Sequence, residues 1–355
     1  MQAAALCQGR SSSSVSLPFC VYEDRQFRVR QDVMQDDPPN ASEPGAPRPI
    51  PSPDRRRLPG LSIGRRCLPG AGLGALSLLA TACSPLGVLN GLAPKRLSAR
   101  NIPYGPGPRR TLDIYMPTQA RGAAPVRAPV IVFLYGGSWD SGAKEDYRFV
   151  GGALAAAGFV TVIPDYRLYP DVVFPAFLDD CAAAFAWARA HAQDYGGGGP
   201  MVLMGHSAGA YNAAMLALDP AYLGGAQDVS RPLAATVAIA GPYDFLPVQT
   251  AELKAIFGQP PTPPDTQPIN HVDGRNAPML LLAGATDTTV LPRNTVRLAA
   301  RIRAAGGPVQ SRIYPGIDHK EIIGAMGVPF RFLCPTYRDC IDFISAHTSA
   351  PARAA

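Results

Sequence analysis

The chain has 355 residues, 47% hydrophobic and 17% charged, with a formal net charge of +6. These proportions exclude a disordered acidic chain and a polytopic membrane protein, and they describe one large globular domain with appendages. The basic excess is shared between the first 82 residues and the remainder, with no dense Lys/Arg stripe in the latter, which argues against a nucleic-acid partner.

Residues 1–63 read as a disordered Pro/Ser/Arg-rich extension: a serine run from Ser11 to Ser14, prolines at Pro44, Pro47, Pro49, Pro51 and Pro53, then Arg55, Arg56 and Arg57. Without apolar periodicity such a stretch cannot bury enough surface to offset chain entropy. Residues 64–83 differ in kind. Arg65 and Arg66 precede an apolar run over 68–82 that is too short for a comfortable membrane span, and small residues lead to Cys83. That pattern fits an export signal. Leu79-Ala80-Thr81-Ala82-Cys83 resembles a bacterial lipobox, departing from it at Ala80 where leucine is usual, so the expected address is the periplasm or a membrane surface tethered through a lipid on Cys83. The alternatives are an ordinary apolar helix packed on the domain and a cytoplasmic chain. Because signal peptides begin near the true N-terminus, translation is expected to start near Leu58 or Leu61. Residues 84–101 read as a linker and 349–355 as a tail.

Seven cysteines are present without a C-x-x-C pair, so a structural zinc site is not expected. Cys334 and Cys340 could bridge in an oxidising compartment or remain buried thiols, as Cys181 would.

From Ile102 to Thr348 short β-rich runs alternate with amphipathic stretches. Strands are predicted at Thr111–Tyr115, with period-2 alternation, and at the continuously apolar Val130–Leu134, then at Phe159–Ile163, Met201–Met204, Ala235–Ile239, Met279–Ala283 and Gln310–Tyr314. Helices are predicted near Tyr147–Ala157, Ala176–His191, Ala210–Leu218, Arg293–Ala305 and Thr336–Ala346. Such alternation implies an α/β domain with a mostly parallel sheet covered on both faces. A Pro- and Gly-rich excursion at 242–277 interrupts the rhythm, as lids, substrate walls and tolerated surface insertions do.

The chemistry concentrates after the Met201 strand, where Gly205-His206-Ser207-Ala208-Gly209 leads into a helical pattern. Glycines two residues either side of the serine allow a sharp strand-to-helix turn that presents Ser207 Oγ at a helix N-terminus. A serine nucleophile needs a base, and the base an orienting carboxylate. In elbow-type hydrolases both follow the serine in the chain. Of His271, His319 and His347, His319 follows the last strand at the correct sheet edge. Of Asp219, Asp228, Asp244, Asp265, Asp273, Asp287 and Asp318, Asp287 occupies a strand-end loop at that edge, while Asp318 reads as a turn residue. Oxyanion donors are expected from the main chain of Ala208 and from the loop after the Val130 strand, at Gly137 and Ser138. Asp165, Tyr166 and Arg167 read as supports of that loop, Trp139 as packing beneath it or stacking on an acyl group, and Asp179 with Asp180 as solvated or N-terminal helix residues rather than metal ligands.

These features together, over about Ile102 to Ile344, resemble the α/β-hydrolase superfamily. The closest likeness is to the esterase/lipase branch with a His-Gly-Gly-x-Trp loop, which includes carboxylesterases, feruloyl and acetyl-xylan esterases and kynurenine formamidases. Here Tyr135 stands in place of the usual histidine and Ser138 in place of a third glycine. The resemblance implies a serine hydrolase of small-molecule carboxylic esters that needs no metal or organic cofactor. Two other readings are an arylformamidase-type amide hydrolase and an idle scaffold used for binding.

Overall fold

The computed structural model describes residues 85–118, 127–223, 232–258 and 261–349. The extension 1–63, the segment 64–83 with Cys83, Asp228 and tail residues 350–355 lie outside the described residues.

Eight strands form one sheet: β1 (Leu97–Pro103), β2 (Thr111–Tyr115), β3 (Val130–Leu134), β4 (Val160–Pro164), β5 (Met201–His206), β6 (Leu233–Ile239), β7 (Met279–Gly284) and β8 (Val309–Tyr314). Their spatial order is β1-β2-β4-β3-β5-β6-β7-β8. β1 and β2 pair antiparallel, as do β2 and β4; every pair from β4 onward is parallel. The described helices are α1 (Pro85–Gly91), α2 (Arg148–Ala156), α3 (Ala176–His191), α4 (Ala208–Leu218), α5 (Pro220–Leu223), α6 (Ala251–Phe257), α7 (Arg293–Ala304), α8 (Glu321–Gly324) and α9 (Thr336–Thr348).

Burial explains why the central strands are apolar throughout. All five residues of β3, all five of β4 and all six of β7 are buried, and each large aliphatic side chain so placed contributes about 1.5–3 kcal/mol. Leu280 and Leu282 of β7 join one apolar cluster with Phe343 and Ile344 of α9. Met279 and Leu281, one residue out of phase, join another with Ala210 and Ala214 of α4 and Leu298 and Ile302 of α7. The sheet is therefore covered on both faces, as a parallel sheet must be.

The stretch read as a linker, 84–101, instead contributes α1 and most of β1. β1 is an edge strand whose side chains are half-buried or exposed throughout, and its short alternation over Leu97–Arg100 is broken by a register shift before Ile102, so only a brief periodic signal marks it. Cys334 and Cys340 are both buried free thiols, as is Cys181. The excursion 242–277 contains α6 and two single-turn 3-10 segments, and it is tied down by hydrogen bonds from Tyr211 Oη to the Thr266 carbonyl (2.6 Å) and from Phe174 N–H to the Ile256 carbonyl (2.9 Å). Among the described residues no helix is long and apolar enough to cross a membrane.

Chain order reverses at β3: the chain steps to β4 on one side and returns to β5 on the other. The crevice outside the carboxyl ends of β3 and β5 is thus a topological switch point, where open α/β sheets place their ligands.

Candidate active site

Ser207 stands between the end of β5 and the start of α4 with φ 54° and ψ −123°. A non-glycine residue in that region is strained by about 1–3 kcal/mol and persists only where its surroundings over-determine it. The surroundings here are main chain. A Cβ on Gly205 would collide with the Gly209 carbonyl, and one on Gly209 with the carbonyls of Leu134 and Tyr135. Only glycine at both positions lets β5 turn into α4 against the end of β3, and the turn aims the Ser207 side chain out of the sheet edge. Ser207 N–H donates to the Ile239 carbonyl at 2.9 Å, which pins the turn to β6.

The loops after β7 and β8 bring the two partners to it. Ala285 N–H donates to the Tyr314 carbonyl (2.9 Å) and Thr286 N–H to the Ile317 carbonyl (3.1 Å), so the two loops are laced together. His319 Nε2 lies 2.9 Å from Ser207 Oγ, and His319 Nδ1 lies 2.7 Å from Asp287 Oδ2. The other oxygen of Asp287, Oδ1, accepts from the main-chain N–H of Thr289 (2.9 Å) and Val290 (2.8 Å). A carboxylate only accepts, so the buried Asp287, 2% exposed and with no Lys or Arg paired to it among the described residues, makes Nδ1 the protonated nitrogen of His319. Nε2 is then the free lone pair that faces the serine hydroxyl. Chemically, this line can take a proton from Ser207 and stabilise the resulting imidazolium.

Of the residues expected to supply donors, Ser138 and Ala208 line one cleft with Ser207, and Gly137 adjoins Ser138 in the loop after β3. Ala208 is the first residue of α4, so its N–H has no partner within the helix. The loop after β3 runs through Gly137 (φ 139°), Ser138 (φ 51°) and Trp139 (φ 63°), three successive residues of positive φ. Among the described residues neither Gly137 N–H nor Ser138 N–H donates to a main-chain carbonyl outside regular helices and strands. The Gly137 carbonyl holds the loop shut by accepting from Asp140 N–H (3.1 Å) and Ser141 N–H (3.0 Å).

A polar scaffold supports this loop from behind. Tyr166 Oη donates to the Tyr135 carbonyl at 2.7 Å, and the two rings stack with centroids 4.6 Å apart. Arg109 donates to Tyr135 Oη (2.6 Å), to the Gly142 carbonyl (2.7 Å) and to the Tyr166 carbonyl (3.0 Å). Burial first, and then the charge of Asp165, push the Tyr135 phenol well above its ordinary range, outweighing Arg109. It therefore remains a neutral hydroxyl that accepts from the guanidinium. Asp165 supports the same loop through Lys144, whose N–H and Nζ reach its two oxygens at 2.9 and 2.7 Å. Tyr135 is thus held by Arg109.

Trp139 is packed beneath the loop. Its Nε1–H donates to Asn212 Oδ1 at 3.0 Å, and its ring meets Tyr211 and Phe257 edge-on with centroids 5.1 and 4.8 Å away. In front of the serine lies a cleft of about 320 Å3. Pro242, Phe245, Leu246 and Leu253 of the excursion form one wall and Val290 and Leu291 another, with Ser138, Ser207 and Ala208 at the base. The excursion is therefore a wall of the cleft.

The remaining sequence candidates lie apart from this line. His271 is half-buried: its Nδ1 is 3.4 Å from Asp219 and its Nε2 is 2.6 Å from the Asp265 carbonyl. His347 donates within α9 to the Phe343 carbonyl (2.8 Å). Asp318 Oδ1 accepts from the N–H groups of Lys320 and Glu321, as a turn residue does. Asp179 and Asp180 lie near the start of α3, as one of the two readings expects, but Asp180 is not solvated: its side chain is fully buried between Arg110 and Arg167. Burial would raise its carboxyl, but the hydrogen bonds from Arg167 and Arg110 outweigh that and hold it below the ordinary value. Sequence reasoning missed Arg109, Tyr147 and Asn212, which carry no motif and meet the site only through the fold.

The BD-FAE family model matches residues 112–302, over half of the chain, a span that holds Ser207 and Asp287 and stops short of His319. Among curated proteins, the Esterase LipC of Mycobacterium tuberculosis is 30% identical over 246 residues, covering 62% of this chain and 59% of that protein. The Probable carboxylic ester hydrolase LipM of the same organism is 29% identical over 181 residues, covering 46% of this chain and 42% of its own length. The chain thus spans less than two thirds of the length of these relatives. Among solved structures, a truncated form of carbohydrate esterase from gut microbiota matches with a TM-score of 0.60 at 22% identity, over 72% of this chain and 99% of that one, a likeness of fold. By the extent of the family match and the order of its sheet, the chain belongs to the BD-FAE family and has the α/β-hydrolase fold.

Proposed function

We propose that the protein is a serine carboxylesterase working through an acyl-enzyme. Ser207 Oγ attacks the ester carbonyl as His319 Nε2 takes its proton, while Asp287 keeps Nδ1 protonated and stabilises the imidazolium. The oxyanion is met by the N–H groups of Ala208, Gly137 and Ser138, with α4 directing its positive end at the charge. His319 then returns its proton to the leaving alcohol and activates water to release the acid. Each step is carried by these side chains and main-chain donors, and none calls on a cofactor. The observation that carries the reading is the unbroken hydrogen-bonded line from Ser207 through His319 to Asp287 at a strained strand-to-helix turn. Two relatives whose names are those of esterases support the substrate class.

The test is turnover of p-nitrophenyl acetate, butyrate and octanoate, methyl ferulate and N-formylkynurenine by the protein and by Ser207→Ala. Ester turnover that vanishes in the variant is expected. Turnover of N-formylkynurenine alone would move the protein to an amide hydrolase, and no turnover by folded protein would favour a binding scaffold.

For the address, the arginine pair, the apolar run and Cys83 support export with a lipid on Cys83, just ahead of α1. Metabolic palmitate labelling that is lost in Cys83→Ala is the expected result; equal labelling of both would contradict it.

A further inference from the structure

The residue preceding the nucleophile has its own circuit, which the mechanism above does not use. His206 is buried, with 5% exposure, and its ring lies 4.9 Å from that of His319. His206 Nε2 is 3.2 Å from the main-chain carbonyl of His319. A carbonyl only accepts, so Nε2 carries the hydrogen and Nδ1 of the neutral ring is the acceptor. Tyr147 Oη, 3.2 Å from Nδ1, must then donate to it. The same phenol oxygen accepts from Gly136 N–H at 3.3 Å. The donors run in one direction: Gly136 N–H to Tyr147, Tyr147 O–H to His206, His206 N–H to His319. Gly136 is the residue before Gly137 in the oxyanion loop, and a Cβ there would come within 2.8 Å of Ser207 Cβ.

We propose that His206 and Tyr147 are positioning residues: together they lock the main chain of His319 to the oxyanion loop, fixing the base and the oxyanion donors in one frame around Ser207. The circuit works only with a neutral His206. Burial, and then the nearby His319, push the His206 imidazole down to about 3, so it does not compete with His319 for the proton. Burial pushes the Tyr147 phenol up to about 12, which keeps its hydrogen available to Nδ1. A displaced catalytic group costs rate out of proportion to the movement, so the loss of the frame falls on kcat.

The inference rests on the esterase reading, and the test separates the two. Steady-state kinetics on p-nitrophenyl acetate are measured for the wild type, Ser207→Ala, His206→Leu, His206→Gln, Tyr147→Phe and the double variant Tyr147→Phe/His206→Leu, with thermal unfolding as a check of folding. His206→Leu is expected to lower kcat by about 10-fold with KM within about 2-fold, the scale of one hydrogen bond realised in the transition state. Glutamine offers an acceptor and a donor on one amide, so His206→Gln is expected to recover most of that loss. The double variant should turn over no more slowly than the slower single, because both break one circuit. Wild-type kcat in folded His206→Leu, or multiplying losses in the double variant, would overturn the proposal. If His206→Leu does not fold, Tyr147→Phe decides: a lower kcat at unchanged KM supports the circuit and wild-type kcat refutes it. Ester turnover surviving in Ser207→Ala would overturn the Ser207 acyl-enzyme on which the inference rests, whereas a dead Ser207→Ala beside a fully active His206→Leu would sink the circuit alone.

Discussion

Asp287 and Asp180 are both buried carboxylates in this sheet's surroundings, yet their partners differ in kind. Asp180, on α3, is saturated by cations: Arg110 and Arg167 reach it at 2.6 and 2.8 Å, and Arg167 N–H donates to it as well. Its charge is neutralised in the resting protein, and the cluster ties the segments around Arg110 and Arg167 to α3. Asp287 receives two main-chain N–H groups and one imidazole. Among the described residues no Lys or Arg pairs with it, so on the proposed mechanism a full positive charge meets it when His319 becomes an imidazolium. Charge matched at rest serves stability, and charge matched only during reaction serves chemistry.

The largest expected effects break the reactive line. Ser207→Ala and His319→Ala should each lower kcat for ester hydrolysis by about 10^4-fold to 10^6-fold while leaving the thermal midpoint near wild type, read by steady-state kinetics and calorimetry. Asp287→Asn should cost up to about 10^4-fold, because an amide in place of the carboxylate favours the wrong tautomer of His319. In the matched cluster the effects reverse. Asp180→Asn should lower stability by about 3 kcal/mol, the cost of breaking a buried pair, with kcat within about 2-fold. The Asp180 carboxyl titrates lower when folded than when unfolded. Its contribution is therefore complete above the unfolded value of about 3.9 and is lost as the pH falls through the lower folded value, so the gap in urea midpoint between wild type and Asp180→Asn should begin to narrow below about pH 4 and close only beneath that folded value. The smallest effect is expected from Ser138→Gly. On the proposal that its main-chain N–H serves the oxyanion, glycine should keep kcat within about 2-fold, and relief of the positive φ offsets part of glycine's greater chain entropy. A large loss in kcat would assign the work to the Ser138 hydroxyl instead.

What can be read in sequence follows the same division. The line of Ser207, Asp287 and His319 is legible because each residue sits at the end of a continuously apolar or β-rich run, and the pair of glycines around Ser207 has only one steric explanation. Strand-end position is local information. The seven strands from Thr111 onward are legible for the same reason. β1 is not, since its apolar alternation runs only from Leu97 to Arg100 before a register shift near Asn101 breaks the phase ahead of Ile102. Asp180 is misread because an acidic pair on a helix looks solvated until Arg110, seventy residues earlier in the chain, is folded against it. Arg109, Tyr147 and His206 are silent for the same reason: their roles are hydrogen bonds to carbonyls and rings that only tertiary structure brings near.

The most direct measurement is acid-quench peptide mass spectrometry during turnover of p-nitrophenyl acetate, with His319→Ala as control. The account predicts one acetyl group on the peptide bearing Ser207, formed with a burst of p-nitrophenol and absent from the control. An acetyl group on another residue, or steady turnover from Ser207→Ala, would contradict it.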